Sequence, residues 1–277
     1  MVSNSYTNII KSETRFLPIF TTMAFPIDLK LGSLTVSLHL IFETLGFAVG
    51  FRYFLFLRNR QKDRINDTNR TWIIIGATFG AFFFSRLIGA LENPMTLIHS
   101  KHILLYLYAN KTIVGGLLGA LLTVEITKKI IHEKTSSGDL FTYPLILAMM
   151  IGRIGCFTSG LTEETYGIAT NSVFGMDLGD GVPRHPVALY EIAFLGLLWL
   201  LLTMIERRNK LKNGYRFQIF MITYLAFRFG LDLIKPHYTW FIGLGTIQLC
   251  CLIGLLYYSG TIYKIFTNFS AITEHGK

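Results

Sequence analysis

An arginine set between glycines inside a long apolar run is the pattern here with the most chemical content: Ile151-Gly152-Arg153-Ile154-Gly155-Cys156-Phe157. An arginine at depth in hydrocarbon costs about 2.5–3.5 kcal/mol on insertion scales, so one found there marks a functional site. Its planar fork matches the oxygens of a phosphate. Glycines on both sides let backbone approach closely. A second run, Phe227-Arg228-Phe229-Gly230-Leu231-Asp232, places an arginine and an acid on one helix face. His39 and Glu43 share that spacing, and Arg184-His185-Pro186 stands just before Tyr190-Glu191. Forks for an anion, imidazoles for a proton and acids to orient them are the parts of a lipid-phosphate site.

The elements that must hold these residues are membrane spans. Hydrophobic residues make up 51% of the chain and charged ones 16%, below the roughly 25% charge of a soluble domain. The net charge of +9 lies mostly in short loops, which points to membrane orientation and anionic headgroups rather than nucleic acid. Three cysteines, Cys156, Cys250 and Cys251, make no disulfide framework, and no Cys/His spacing indicates zinc. No metal or organic cofactor is expected.

Apolar runs predict an all-α polytopic membrane protein with seven spans, near 34–57, 72–91, 112–130, 139–157, 187–205, 216–234 and 241–263. The predicted organisation is an interfacial segment over 1–33, a seven-span domain over 34–264 and a cytoplasmic tail over 265–277. Fifteen basic residues fall on one side of these spans and seven on the other, with four inside. The richer side is expected to be cytoplasmic, which puts the N-terminus outside and the C-terminus inside. His39, Glu43, Arg86, Glu92, Lys111, Gly115-Gly116, Arg153, Tyr190-Glu191, Arg228 and Asp232 then converge at one depth near the outer face.

Each residue also has a plainer reading. Gly115-Gly116-Leu117-Leu118-Gly119 fits a helix-packing surface. Arg228 and Asp232 could simply pair with each other, and His39 and His185 could be hydrogen-bonded structural residues. Cys156 is of a type most often found as a small buried apolar residue. The conjunction in six of seven spans favours a shared polar cavity.

The set Gly152-Arg153-Ile154-Gly155-Cys156-Phe157, Tyr166-Gly167 and Arg184-His185-Pro186…Leu189-Tyr190-Glu191 resembles the prolipoprotein diacylglyceryl transferase family, whose signature runs Gly-Arg-x-Gly-Asn-Phe and then Arg-His-Pro-x-x-Leu-Tyr-Glu. Gly115-Gly116-Leu117-Leu118-Gly119, Phe84-Ser85-Arg86-Leu87 and Phe227–Asp232 resemble its other elements, over roughly 34–260. The chain departs from the pattern in five places, one being a longer turn after Gly160 that carries Glu163 and Glu164. Val114 stands for a histidine, Cys156 for an asparagine and Asp232 for a glutamate, while His39 falls near an important tyrosine.

The resemblance implies transfer of a diacylglyceryl group from phosphatidylglycerol, or a similar anionic phospholipid, to the cysteine thiol of a prolipoprotein peptide in the bacterial plasma (inner) membrane. It implies catalytic roles for Arg153 and Arg228 on the phosphate, with His39 first and His185 second as substitute bases. Glu163 and Glu164 stand as further candidates. Substrate-binding roles are implied for Arg86, Gly115, Gly116, Gly152, Gly155, Cys156, Gly167, Arg184, Tyr190, Glu191 and Asp232. The competing reading is a non-catalytic protein that binds anionic phospholipid, and a small transporter is a weaker third.

Overall fold

The computed structural model describes residues 25–273, apart from 33, 62, 164, 237, 241 and 242. The chain is mostly helical. Two antiparallel strands, β1 (Asp28–Leu31) and β2 (Leu34–Ser37), lead into α1 (Leu38–Gln61) and α2 (Asp67–Ala90). The short helices α3 (Pro94–His99) and α4 (Ile103–Ala109) precede α5 (Ile113–Ile130) and α6 (Asp139–Thr158). A loop carrying a 3₁₀ turn and the two-residue strands β3 (Met176–Asp177) and β4 (Pro183–Arg184) connects α6 to α7 (Val187–Arg208). Then come α8 (Tyr215–Asp232), α9 (Thr246–Tyr257) and α10 (Ser259–Thr267).

Four helices, α1, α2, α6 and α7, are long and apolar enough to cross a membrane, and α9 with α10 makes a fifth candidate if that pair is one bent span. The remaining two expected spans, α5 and α8, have 18 residues each and carry three charged residues apiece. Two boundaries differ from the sequence reading. The first helix starts at Leu38 rather than 34, because residues 34–37 pair with 28–31 as a hairpin; the protein is therefore not purely helical. The last expected span bends by 62° between Tyr257 and Ser259. Ser259-Gly260 supplies the weak helix formers at that break. Of the interfacial segment expected over 1–33, residues 1–24 and 33 lie outside the described residues. Of the tail expected over 265–277, the start of the segment completes α10, Thr273 bridges to Leu211, and 274–277 lie outside the described residues.

The helices pack in a row: α1 on α6, α6 with α7 against α8, α8 on α9, α9 on α5, and α5 on α2. The two ends of the row, α1 and α2, touch little. Small residues set the tight seams. A Cβ on Gly46 would lie 2.8 Å from the Ala148 carbonyl oxygen, and one on Gly119 would lie 2.3 Å from Phe84 Cβ. The apolar core runs between these seams through Ile146, Leu195, Phe220, Tyr224, Leu225 and Ile247. Outward-facing Phe47, Phe51, Phe79 and Leu197 give the helices an apolar exterior, as lipid contact requires.

The end of the bundle away from the polar cluster is tied by ions and caps. Arg70, 1% exposed, donates from Nε to Asp63 Oδ2 at 2.6 Å and from Nη1 to the Ser137 carbonyl at 3.0 Å. Arg58 adds contacts to Asp63 and Asp67. Burial alone would raise the Asp63 carboxyl, but the Arg70 hydrogen bonds and the two guanidinium charges hold it below its ordinary range. Asp139, at the start of α6, accepts from the Gly214 and Phe217 backbone N–H groups at 2.6 and 3.0 Å. It thereby satisfies first-turn donors of another helix, α8.

Candidate active site

Glu191, in the second turn of α7, is fully buried. An isolated carboxylate there would be prohibitively costly, so its partners define the site. Tyr224 Oη donates to its Oε1 at 2.7 Å, and Arg228 Nη1 donates to its Oε2 at 3.1 Å. Arg153 Nε reaches the same Oε2 at 2.9 Å. Four residues on three helices therefore meet: Arg153 from α6, Glu191 from α7, and Tyr224 and Arg228 from α8. Tyr224 and Arg228 are four residues apart and share a face of α8.

Two buried guanidiniums share one hydrogen-bonded carboxylate, with the buried Asp232 carboxylate also acting on Arg228. Arg228 also leaves a donor unused: among the described residues its Nε–H has no hydrogen bond, whereas Arg153 Nε lies 2.9 Å from Glu191 Oε2. Buried donors without acceptors are costly, and a bound phosphate would supply acceptors. Gly152 leaves open space beside the Arg153 backbone, since a Cβ there would meet nothing within 4 Å.

Arg153 also reaches down its own helix, Nη1 to Cys156 Sγ at 3.5 Å. Between them Gly155 brings α1 close, because a Cβ on it would lie 3.1 Å from His39 Cα. His39 thus sits beside the thiol, its Nε2 lying 3.5 Å from Glu43 and 3.6 Å from Glu163. Lys111, just ahead of α5, closes the chain with bonds of 2.7 and 2.6 Å to the Glu43 carboxylate. One polar path therefore runs Lys111, Glu43, His39, Cys156, Arg153, Glu191, Arg228.

Other residues expected in the site are placed differently. Asp232 is buried, but its carboxylate oxygens make no hydrogen bond among the described residues, so it does not orient Arg228 through one. Arg228 is drawn to Glu191 on the neighbouring helix instead. Arg86 lies with its guanidinium 3.8 Å from the Phe82 ring and 5.0 Å from that of Tyr108. Gly115 is a packing residue: a Cβ on it would come 2.6 Å from the Phe84 carbonyl. Gly116 faces Ser85 and Ala81 at ordinary contact distance. Val114 is wholly buried in the apolar core.

The α6–α7 loop has its own internal order. Arg184 pairs with Asp180, at 2.9 and 2.6 Å, and covers the Tyr166 ring. The Arg184 hydrogen bond holds the Asp180 carboxyl below its ordinary range. Asp177 Oδ1 accepts from the N–H groups of Gly179, Asp180 and Gly181, and Gly179 and Gly181 adopt the positive φ this turn requires. His185 Nδ1 lies 3.0 Å from Tyr190 Oη, and its carbonyl accepts from Gly167 at 3.0 Å. Gly167 has no room for a Cβ, which would fall 2.6 Å from that of His185. His185, Gly167 and Tyr190 thus fix the lead-in to α7 and the position of Glu191. Tyr224 was not expected in the site, although its four-residue spacing from Arg228 was available in the sequence.

Comparison with known proteins shows the family. The family model for prolipoprotein diacylglyceryl transferase matches residues 26–264. Proteins named phosphatidylglycerol–prolipoprotein diacylglyceryl transferase are similar over most of their length. The one from Rickettsia felis is 30% identical over 218 residues, covering 76% of this chain and 83% of the relative. That from Solidesulfovibrio magneticus is 27% identical over 227 residues, with 76% and 81% covered. That from Coxiella burnetii is 27% identical over 229 residues, with the same coverage. With that family model matching most of its length, the chain belongs to the prolipoprotein diacylglyceryl transferase family.

Proposed function

We propose that this protein transfers the diacylglyceryl group of phosphatidylglycerol, or a similar anionic phospholipid, to the cysteine thiol of a prolipoprotein. The observation that carries the reading is the convergence of Arg153 and Arg228 on buried Glu191. In the reaction the peptide sulfur bonds to the glyceryl carbon bearing the phosphate, the carbon–oxygen bond breaks, and glycerol phosphate leaves. The arginines hold the phosphate and stabilise the charge gathering on its oxygen, a role worth about 10²–10³-fold in rate for a single well-placed donor. Glu191 and Tyr224 hold the forks in place beforehand. The incoming thiol must lose its proton, because the thiolate is the nucleophile. The reaction as written needs no cofactor.

The membrane arrangement belongs to the same proposal. Helices α1, α2, α5, α6, α7, α8 and the bent α9–α10 pair make seven crossings of the bacterial plasma membrane. The N-terminus and the α6–α7 loop lie outside, and the C-terminus lies in the cytoplasm. The distribution of basic residues supports this orientation.

The decisive experiment is complementation of a strain depleted of its own transferase, joined to a transfer assay with a lipobox peptide in phosphatidylglycerol nanodiscs. Growth and a lipid-modified peptide are the expected results. Burial of Val114 where the family carries a histidine favours a second reading, a non-catalytic binder of anionic phospholipid. Donor binding without growth or turnover would establish that reading.

A further inference from the structure

The two ends of the helix row, α1 and α2, touch little along their length, and an ion pair spans the opening between them at the polar end. Glu43 stands in the second turn of α1, and Lys111 stands two residues ahead of α5. The Lys111 backbone is fixed on α2. A Cβ on Gly89 would lie 2.8 Å from the Lys111 backbone nitrogen, and the next residue, Thr112, donates its N–H to the Ser85 carbonyl at 3.1 Å. From that anchorage the side chain crosses to α1, where Nζ donates to both Glu43 carboxylate oxygens at 2.7 and 2.6 Å. The bridge thus joins the α2 side of the opening to the α1 side.

Its setting differs from that of the arginine cluster. The Lys111 and Glu43 side chains are 35% and 31% exposed, whereas Glu191, on which Arg153 and Arg228 converge, is fully buried. Ion pairs with this much exposure are weak, because solvent competes for both charges. A guanidinium held by a buried carboxylate is a fixed site, while an ammonium on a flexible four-carbon stem can move. Behind the bridge, His39 Nε2 lies 3.5 Å from Glu43, and the polar path continues to Arg153 and Glu191. A phosphate entering between α1 and α2 therefore meets the Glu43–Lys111 pair before it meets the guanidiniums. It offers the ammonium an anionic oxygen in place of the carboxylate, so Lys111 keeps a charged partner as the bridge parts.

We propose that the Glu43–Lys111 bridge is a latch across the opening between α1 and α2. An anionic phospholipid opens it by drawing Lys111 onto its phosphate, on the way to Arg153 and Arg228. The inference rests on the phosphate reading of those two arginines and deepens it by naming the residue that receives the donor first. Lys111 acts on entry and exit and not on the chemical step. Only hydrogen bonds and ion pairs are exchanged.

Two measurements test this on the full-length protein. The first needs no turnover. Glu43→Cys and Lys111→Cys are combined and joined by a reducible bis-methanethiosulfonate. Protein preloaded with phosphatidylglycerol is diluted into lipid-free detergent micelles, and the lipid retained over time is followed by native mass spectrometry. The covalent bridge should slow release by about tenfold or more, as a lid held shut does, and reductant should restore it. Each single-cysteine variant, treated alike, controls for the three native cysteines and should release lipid at its untreated rate. Release that ignores the covalent bridge would overturn the latch.

The second separates the two halves of the pair in phosphatidylglycerol mixed micelles. Glu43→Gln opens the latch and keeps the cation, so uptake and release should both quicken by about twofold to fivefold, the worth of an exposed pair. The equilibrium dissociation constant should stay unchanged. Lys111→Met opens the latch but removes the receiving charge, so its uptake should fall below that of Glu43→Gln by about fivefold or more. In peptide transfer Lys111→Met should raise KM for phosphatidylglycerol and leave kcat unchanged. A bridge that only braced the fold would respond alike to both substitutions, and equal uptake rates would overturn the exchange of Lys111. Latch-dependent release from a protein that transfers nothing to any lipobox peptide would overturn the transferase reading and leave the latch standing.

Discussion

Glu191 accepts from Tyr224 and Arg228 and is paired with Arg153, so it sets where both guanidiniums can point before any lipid arrives. Arg153 alone also reaches Cys156, and its loss would disturb both halves of the site. Arg153→Ala is expected to lower transfer by at least about 10²–10³-fold while the protein still inserts. Arg153→Lys should rescue poorly, because a point charge cannot replace a fork gripping two oxygens. Normal transfer by Arg153→Ala in a nanodisc assay would sink the assignment. At this scale the sequence was informative wherever charge sat in an apolar run, which made Arg153, Glu191, Arg228 and His39 visible. At Asp232 it showed the spacing but not the partner, because spacing on one helix cannot reveal that Arg228 donates to Glu191 on the next. Tyr224 escaped notice as one of thirteen tyrosines in an aromatic-rich chain.

Helices α1 and α6 meet through Gly46, Gly50 and Gly155, and this seam delivers His39 to Cys156. A methyl on Gly46 would press on the Ala148 backbone, which cannot swing away as a side chain could. Gly46→Ala should therefore cost about 1–3 kcal/mol of stability and lower transfer without touching a polar residue. Thermal unfolding in detergent checks the first effect and nanodisc turnover the second. Wild-type values in both would remove the seam from the argument.

The α1–α2 connection carries a second prediction. Asp63 is held below its ordinary range, so its contribution is present above the unfolded value, about 3.9, and is lost as pH falls through the folded one. The stability gap between the parent and Asp63→Asn should be full at pH 7 and shrink below about pH 4. A gap constant down to pH 3 would show that Asp63 acts through packing alone. Helix existence was readable from apolar run length; helix ends were not. The hairpin before α1 and the break after Tyr257 depend on pairing and bending that composition does not encode.

The helices form a row whose two ends, α1 and α2, meet little along their length. Arg58, Asp63, Asp67 and Arg70 tie α1 to α2 at one end, and at the other Glu43 of α1 pairs with Lys111, which belongs to the lead-in to α5 and not to α2. The polar path from Lys111 to Arg228 lies at that second end, which is expected to face the outside. A cysteine placed at Ser172 should react with an impermeant maleimide added outside intact cells, and one at Asn209 should not. The reverse pattern would overturn the orientation and with it the shared depth of the site. That charged residues of several apolar runs would meet was legible from the sequence, because charges inside hydrocarbon pair with one another. The row and its gap were not, since no residue pattern states which helices fail to touch.

That gap has a kinetic consequence. A headgroup that slides sideways between α1 and α2 leaves its acyl chains in the hydrocarbon throughout. The donor then never crosses water, and the enzyme senses its two-dimensional concentration. In mixed micelles the transfer rate should follow the mole fraction of phosphatidylglycerol in the micelle and stay constant when the bulk solution is diluted at fixed composition. A rate that tracked bulk lipid concentration instead would mean that the donor arrives from the aqueous face, and that the space between α1 and α2 is not its doorway.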